Sequence, residues 1–330
     1  MVRIKPANVV LLLSLLLTDG HAADTKLSES LVGCDEVSCP KERSYDRCTV
    51  GDKTFLGIGL ARIPDVPSTL EGLSLIKGVN ISHGEEGTRP FNSAYYLGTP
   101  SELDVKDLNG CVVTFNDPPE KQFDGPIKTG KDGNITDVQA ARGTCPDIIE
   151  QRCIDTLTER ARSVTNATSS GNVCAALERE LKKNTFEGCG DLGGKGKGLG
   201  NFTVTSLGDL STVKNSTDCW PIEPKSDGLS LITEITAMGN YTVASMYQEA
   251  WKITPVLTVF VGKGNSSLVD RASSQMTCLK VVTEENPDEE ENSSKNSAFM
   301  LSASPHVSVM AMLIAAAWAL INTEVYPSKT

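Results

Sequence analysis

Thr144–Ala161, TCPDIIEQRCIDTLTERA, is where the hydrophobic period of this 330-residue chain changes. Ile149, Cys153 and Leu157 recur at i, i+4 and i+8 and Ala161 continues the stripe, which is the spacing of one helical face. Thr144 with Asp147 makes a capping-box-like start. A second helix is expected from about Asn172 to Lys183, with Val173, Ala176, Leu177 and Leu181 inward and Gly188 beyond its end. On either side the period is that of strands. Leu56, Ile58 and Leu60 alternate with small residues, Leu73–Ile81 repeats the habit, and Cys111, Val113 and Phe115 do so again. Turn residues punctuate these runs at Pro64–Pro67, Gly84–Gly87 and Asn116–Pro119. After Gly190 the strand pattern returns in Asn201–Leu207, Leu229–Ile235, Val256–Val261 and Thr277–Val282, broken by one amphipathic helix at Thr242–Lys252 that Pro255 stops. The expected fold is α+β: an antiparallel, sandwich-like sheet core with a disulfide-stapled helical hairpin inserted at about 144–189.

All ten cysteines, Cys34, Cys39, Cys48, Cys111, Cys145, Cys153, Cys174, Cys189, Cys219 and Cys278, fall between the two ends of the chain, and an even count reads as a disulfide framework. An antiparallel helical hairpin would bring Cys145 to Cys189 and Cys153 to Cys174. Cys219 would then pair with Cys278, and Cys34, Cys39, Cys48 and Cys111 would close among themselves. A zinc site competes, but the Cys-x4-Cys-x8-Cys spacing at 34, 39 and 48 matches no usual finger. No metal and no cofactor are expected.

The two ends read as an address. Arg3 and Lys5, the apolar run Val9–Leu17 and the small residues of Gly20-His21-Ala22 form a signal peptide over 1–22, cut after Ala22. The apolar run is too short to cross a bilayer, which takes roughly 20 residues. Near the C-terminus, Val307–Ile321 would extend only about 22 Å as a helix. Upstream of it Asn296-Ser297-Ala298 and the spacer Phe299–His306 have the order of a glycolipid (GPI) attachment signal, with Asn296 as attachment point and 297–330 removed. A single-pass anchor is the rival, but its inner flank would carry only Lys329 as a positive charge, offset by Glu324. The mature body is then a glycosylated ectodomain, 23–283, joined to the anchor by an acidic stalk, 284–296, whose EENPDEEE run lacks the apolar content to fold. An EF-hand spacing is absent from that run. Asn-x-Ser/Thr sequons at Asn80, Asn134, Asn166, Asn201, Asn215, Asn240, Asn265 and Asn292 spread glycan over the mature chain.

Function is less legible. A formal charge of −11 argues against nucleic acid, whose phosphates need clustered Lys and Arg. Gly188–Gly193 (GCGDLG) fits Gly-x-Gly-x-x-Gly literally but follows a helix instead of a strand and holds a disulfide cysteine, so it reads as a loop. His83 is the one imidazole left after processing, in a polar turn without a Gly-x-Ser-x-Gly elbow, and does not make a hydrolytic triad. No catalytic residue is assigned. A glycosidase needs only two carboxylates, and a wall-polysaccharide-modifying hydrolase or transglycosidase is the catalytic alternative. Sugar clefts usually offer aromatic platforms, however, and the mature chain has only Trp220 and Trp251, the second on an apolar helix face. Trp220, beside Cys219, reads as packed on a bridge.

The runs Asp46–Gly51 (DRCTVG), Tyr95–Pro100 (YYLGTP), Gly143–Cys153 (GTCPDIIEQRC), Cys219–Lys225 (CWPIEPK), Ile253–Gly262 (ITPVLTVFVG) and Cys278–Val281 (CLKV) resemble a family of uncharacterised secreted, GPI-anchored cell-surface proteins of filamentous fungi. The resemblance implies a surface location and carries no active-site residue. The sequence therefore predicts a non-catalytic glycoprotein on the outer leaflet of the plasma membrane, with cell-wall polysaccharide as candidate partner and a role in wall organisation, adhesion or sensing.

Overall fold

The computed structural model describes residues 31–282 apart from 35, 40, 43–44, 47, 83, 85–86, 117–144, 169–170, 184–185, 187, 191, 193–197, 216–218, 241–248, 250–251 and 263–267. Of the two units into which the chain divides, Met1–Asn286 and Pro287–Thr330, only the first holds described residues. The signal segment, the stalk, Asn296 and the C-terminal apolar run lie outside them. So do Thr144 and the expected helix at 242–252, except for Glu249 and Lys252.

The strands are β1 (Lys41–Glu42), β2 (Tyr45–Asp46), β3 (Cys48–Val50), β4 (Lys53–Phe55), β5 (Gly57–Arg62), β6 (Ser74–Ile81), β7 (Thr88–Thr99), β8 (Gly110–Phe115), β9 (Phe202–Ser206), β10 (Ser211–Val213), β11 (Gly228–Asn240), β12 (Thr254–Phe260) and β13 (Ser273–Leu279). Two small hairpins pair β1 with β2 and β3 with β4. The rest form a five-stranded sheet in the order β10-β11-β7-β6-β5 and a four-stranded sheet in the order β13-β12-β8-β9. All pairs are antiparallel. Between β8 and β9 run the helices α1 (Cys145–Ile148), α2 (Gln151–Ala167) and α3 (Val173–Leu181). This is the expected α+β sheet core with a helical insert.

Three apolar layers follow from the strand period of two. Between the sheets, Leu75, Tyr95 and Leu97 of the larger sheet meet Val112, Val256, Phe260 and Leu279 of the smaller one. On the outer side of the smaller sheet, Cys111, Val113, Leu257, Val259 and Cys278 meet Cys153, Leu157 and Ala161 of α2 and Leu177 and Leu181 of α3. On the outer side of the larger sheet, Ile58, Leu60, Ile76 and Tyr96 are covered by the N-terminal segment around Cys34, Val37 and Cys39 and by Cys219, Trp220 and Ile222.

The helical stripe is as the sequence predicts, with one difference. Glu150 is extended (φ −60°, ψ 139°) and caps α2, so the helix is broken after Ile148. The break lets the adjacent Ile148 and Ile149 both bury, which two neighbours about 100° apart on a continuous helix do less readily. Asn172 caps α3, its side chain accepting from the Ala175 N–H at 3.0 Å. Between the helices Arg160 reaches Glu180 at 2.8 Å.

The bridges join Cys34 to Cys48, Cys39 to Cys219, Cys111 to Cys174, Cys145 to Cys278 and Cys153 to Cys189. All ten cysteines are paired, but the expected pairings Cys145–Cys189, Cys153–Cys174 and Cys219–Cys278 are incorrect, and of the N-terminal group only Cys34–Cys48 closes within itself. The layers explain this. Cys278 and Cys111 point to the helix side of the smaller sheet, whereas Cys219, Cys34, Cys39 and Cys48 lie on the far side of the larger one. Both sheets stand between Cys219 and Cys278. Cys174 meets Cys111 of β8 and Cys145 meets Cys278 of β13 in the sheet beneath the helices, whereas Cys153 takes Cys189 from the segment returning after α3.

The edge strand β5 is capped from both ends of the described chain. Val32 bridges Leu60 and Val282 bridges Ile58, with Val32 and Leu60 exchanging N–H···O bonds of 2.9 Å. Such capping removes the free N–H and C=O groups that invite edge-to-edge association. Gly59 sits where this closure is tightest: a Cβ there would lie 1.7 Å from the Lys280 carbonyl oxygen. Gly59→Ala should lower the free energy of unfolding by about 1–3 kcal/mol through backbone displacement. Gly208→Ala, whose added Cβ meets only Leu108 O at 3.5 Å, should stay within about 0.5 kcal/mol of the parent in the same urea titration.

Candidate functional site

Buried polar groups in the inter-sheet layer are where chemistry could reside, because a site usually shows as convergent polar atoms with shifted ionisation in an apolar surround. Lys77 of β6 is fully enclosed. Its strand parity aims it, like Leu75, between the sheets, and its register partner on β7 is Tyr95. The Lys77 Nζ donates to the Lys252 carbonyl at 3.0 Å and to Thr254 Oγ1 of β12 at 3.1 Å. The Tyr95 hydroxyl donates to the same Thr254 oxygen at 3.2 Å. These contacts tie β6 and β7 of one sheet to β12 of the other.

Burial pulls the Lys77 amine down to about 7, helped by the nearby Lys252 charge and opposed by Glu249. The two acceptors match the two N–H bonds of a neutral amine. Burial likewise pushes the Tyr95 hydroxyl up to about 12, with Glu249 adding to the rise and the hydrogen bonds of Thr254 and Ser93 working against it. Beside this cluster lies a small, shallow cleft walled by Phe91, Phe115, Ile235 and Ala237, with Ser93, Tyr95 and Asn116 among its polar groups. At its mouth Glu249 pairs with Lys252 at 2.9 Å. Glu249 is the one carboxylate lining the cleft among the described residues, and the paired carboxylates of glycoside hydrolysis, about 5–9.5 Å apart, are not assembled there. With its amine wholly enclosed and both N–H bonds engaged, Lys77 acts as a clamp between sheets and offers no surface to a substrate.

The sequence-predicted residues are distributed elsewhere. Asn166, Asn201, Asn215 and Asn240 are exposed and Asn80 is half-buried on β6; Asn134, Asn265 and Asn292 lie outside the described residues. Asn166 also accepts from the Ala272 N–H at 3.1 Å through its Oδ1, which leaves the nitrogen that would carry glycan. Trp220 is buried against the Cys34–Cys48 and Cys39–Cys219 bridges, its indole N–H donating to the Asp227 carbonyl at 2.8 Å. His83 and Trp251 lie outside the described residues, as does much of the glycine-rich run.

Lys77, Tyr95 and Thr254 were missed because a lysine in a strand reads as solvent-facing. The signal was the run SLIKGVNI itself: Leu75 and Ile76 are neighbours and both apolar, so both faces of that strand are covered and a lysine there has nowhere wet to point. No family model, no curated protein and no solved structure matches the chain.

Lys77 makes stability pH-dependent in a defined direction. Its folded value near 7 lies below the ordinary 10.5, so between these values the unfolded chain binds the proton that the folded chain has lost. Unfolding free energy should rise with pH across that window, by up to about 1.4 kcal/mol per pH unit, and be flat in this term below it, where both states hold the proton. Lys77→Met should abolish the rise, as read by urea unfolding from about pH 7 to about pH 10.

Proposed function

We propose that this chain is a non-catalytic glycoprotein of the cell surface, held to the outer leaflet by a glycolipid at Asn296, whose cross-linked body serves in wall organisation, adhesion or sensing. The observation that carries the reading is the cysteine framework. All ten cysteines are consumed in bridges, two of which tie the helical insert to the smaller sheet, and such a framework persists in an oxidising compartment. On the chain-entropy account Cys34–Cys48, closing a short loop, stabilises by about 3 kcal/mol and Cys39–Cys219, with a separation of 180 residues, by about 5 kcal/mol taken alone. That is the construction of a body exposed to an unprotected exterior.

The exposure of Asn166, Asn201, Asn215 and Asn240 at helix ends, strand ends and loops supports glycan on the rim of the sandwich. The fungal cell-surface family that the cysteine-centred motifs resemble belongs to the same proposal, as does contact with wall polysaccharide. Treating intact cells with phosphatidylinositol-specific phospholipase C should release the protein, peptide N-glycosidase should reduce its mass at several sites, and the released material should leave wall glucans unchanged. Retention on the cells after lipase treatment counts against the anchor, and glucan turnover by purified protein counts in favour of the hydrolase alternative.

A further inference from the structure

The Sγ atoms of Cys39, Cys48 and Cys219 all lie within 4.8 Å of one another, and Cys34 is bonded to Cys48. Two bridges therefore meet in one spot, and four sulfurs occupy it. In the sequence Cys34, Cys39 and Cys48 are a trio whose spacing fits no finger; the fold supplies the fourth sulfur from 171 residues further on. We propose that, when its two bridges are reduced, this cluster is a four-thiolate zinc site.

The geometry suits the ion. A tetrahedral Zn²⁺ with Zn–S bonds of about 2.3 Å needs sulfurs about 3.8 Å apart; the sulfurs of Cys39, Cys48 and Cys219 already lie within 4.8 Å of one another, and once reduced the two bonded pairs, Cys34 with Cys48 and Cys39 with Cys219, must each part to that separation. The sulfurs are presented by fixed elements. A turn closed by the Cys39 N–H on the Cys34 carbonyl at 2.9 Å presents the first pair, with Ser38 held at a positive φ of 55°. Cys48 opens β3, which is paired with β4. Cys219 is steadied by its neighbour Trp220 on the Asp227 carbonyl and by Arg62, which donates to the Glu223 carbonyl at 2.8 Å. Val37, Val50 and Trp220 pack around the cluster, and a dry surround strengthens attraction between thiolates and a cation. The site would carry a net charge of −2, and Lys225, donating to the Ser38 carbonyl at 3.3 Å, brings a positive charge beside Cys39.

The chemistry balances. A thiol or phosphine reductant delivers two electrons to each bridge and gives four thiols, which release their protons as zinc binds. A disulfide oxidant, two molecules per site and itself reduced to thiols, withdraws the same four electrons, restores Cys34–Cys48 and Cys39–Cys219, and expels Zn²⁺. The cluster is thus redox-linked: metal in the reduced chain, cross-links in the oxidised one. Among the described residues it is the one group of three such ligands gathered this closely. The proposal does not rest on the surface reading, because any chain of this sequence passes through the reduced form before its bridges close.

The test uses the full chain, reduced with a phosphine and titrated with Co²⁺ and then Zn²⁺. The expected result is one cobalt per chain with a tetrahedral thiolate spectrum, bleached by zinc. Cys145→Ser with Cys278→Ser should retain it and Cys39→Ser with Cys219→Ser should lose it. Because variants can misfold, alkylation of the unmutated reduced chain is the second measurement: zinc should shield Cys34, Cys39, Cys48 and Cys219 from iodoacetamide while the other cysteines react. A cobalt–thiolate spectrum that survives loss of Cys39 and Cys219, or zinc that shields no cysteine or shields Cys145 and Cys278 as well, overturns the proposal.

Discussion

The four-stranded sheet is dry on both faces, and the rest of the structure answers that constraint. Every residue of β12, Thr254–Phe260, is buried. Val256 and Phe260 face the larger sheet, and Leu257 and Val259 face the helices. Each large apolar side chain buried this way is favoured by about 1.5–3 kcal/mol over exposure, so neither cover can be removed without exposing half of the sheet's apolar surface. The helical insert is therefore a lid on the sheet more than a hairpin closed on itself. Two of its four cysteines reach down to strands, and the bridges they make, Cys111–Cys174 and Cys145–Cys278, rivet helix to sheet at sites far apart in sequence, while Cys153–Cys189 closes within the insert.

The larger sheet meets the same demand by other means. No helix covers its outer face among the described residues; the N-terminal turn and the Cys219–Asp227 segment lie over it instead. Such irregular chain has few backbone hydrogen bonds of its own, and it is held by side chains: Trp220 to Asp227, Arg62 to Glu223 and the two meeting bridges. The cover stops part-way along β11, where Glu234, Thr236, Met238 and Asn240 are exposed. There Thr236 donates to the Asn92 side chain at 2.8 Å and Asn92 donates to Ser82 at 2.9 Å, so the uncovered end of the sheet carries a polar ladder in place of an apolar layer.

The fold class was legible because period is a local property. The shift at Thr144, the strand runs on both sides and the inward stripe of Cys153, Leu157 and Ala161 depend only on neighbours in the chain. The long strand β7 was legible only as part of a general strand pattern, since with both faces covered Tyr95, Tyr96 and Leu97 follow no alternation. Disulfide partners were not legible, because partnership depends on which layer each side chain faces. Cys219 and Cys278 are consecutive cysteines in the sequence, yet they lie on opposite outer faces of the sandwich. The same reason hid the Lys77 cluster, whose three members come from β6, β7 and β12.

Lys77 shows how a costly group can specify a fold. Enclosing an amine without partners costs several kcal/mol, and the protein avoids this by lowering its charge and giving it two acceptors. That solution exists in one register only. Sliding β6 by one residue against β7 would turn Lys77 to the other face of the sheet and put Ile76 or Gly78 between the sheets, leaving Thr254 and Tyr95 without it. Shifting the smaller sheet would move Thr254 and the Lys252 carbonyl out of reach of the amine. Apolar packing alone tolerates such slips more readily, since Leu, Val and Ile exchange partners at small cost. The clamp therefore fixes the relative placement of two sheets whose mutual attraction is otherwise non-directional.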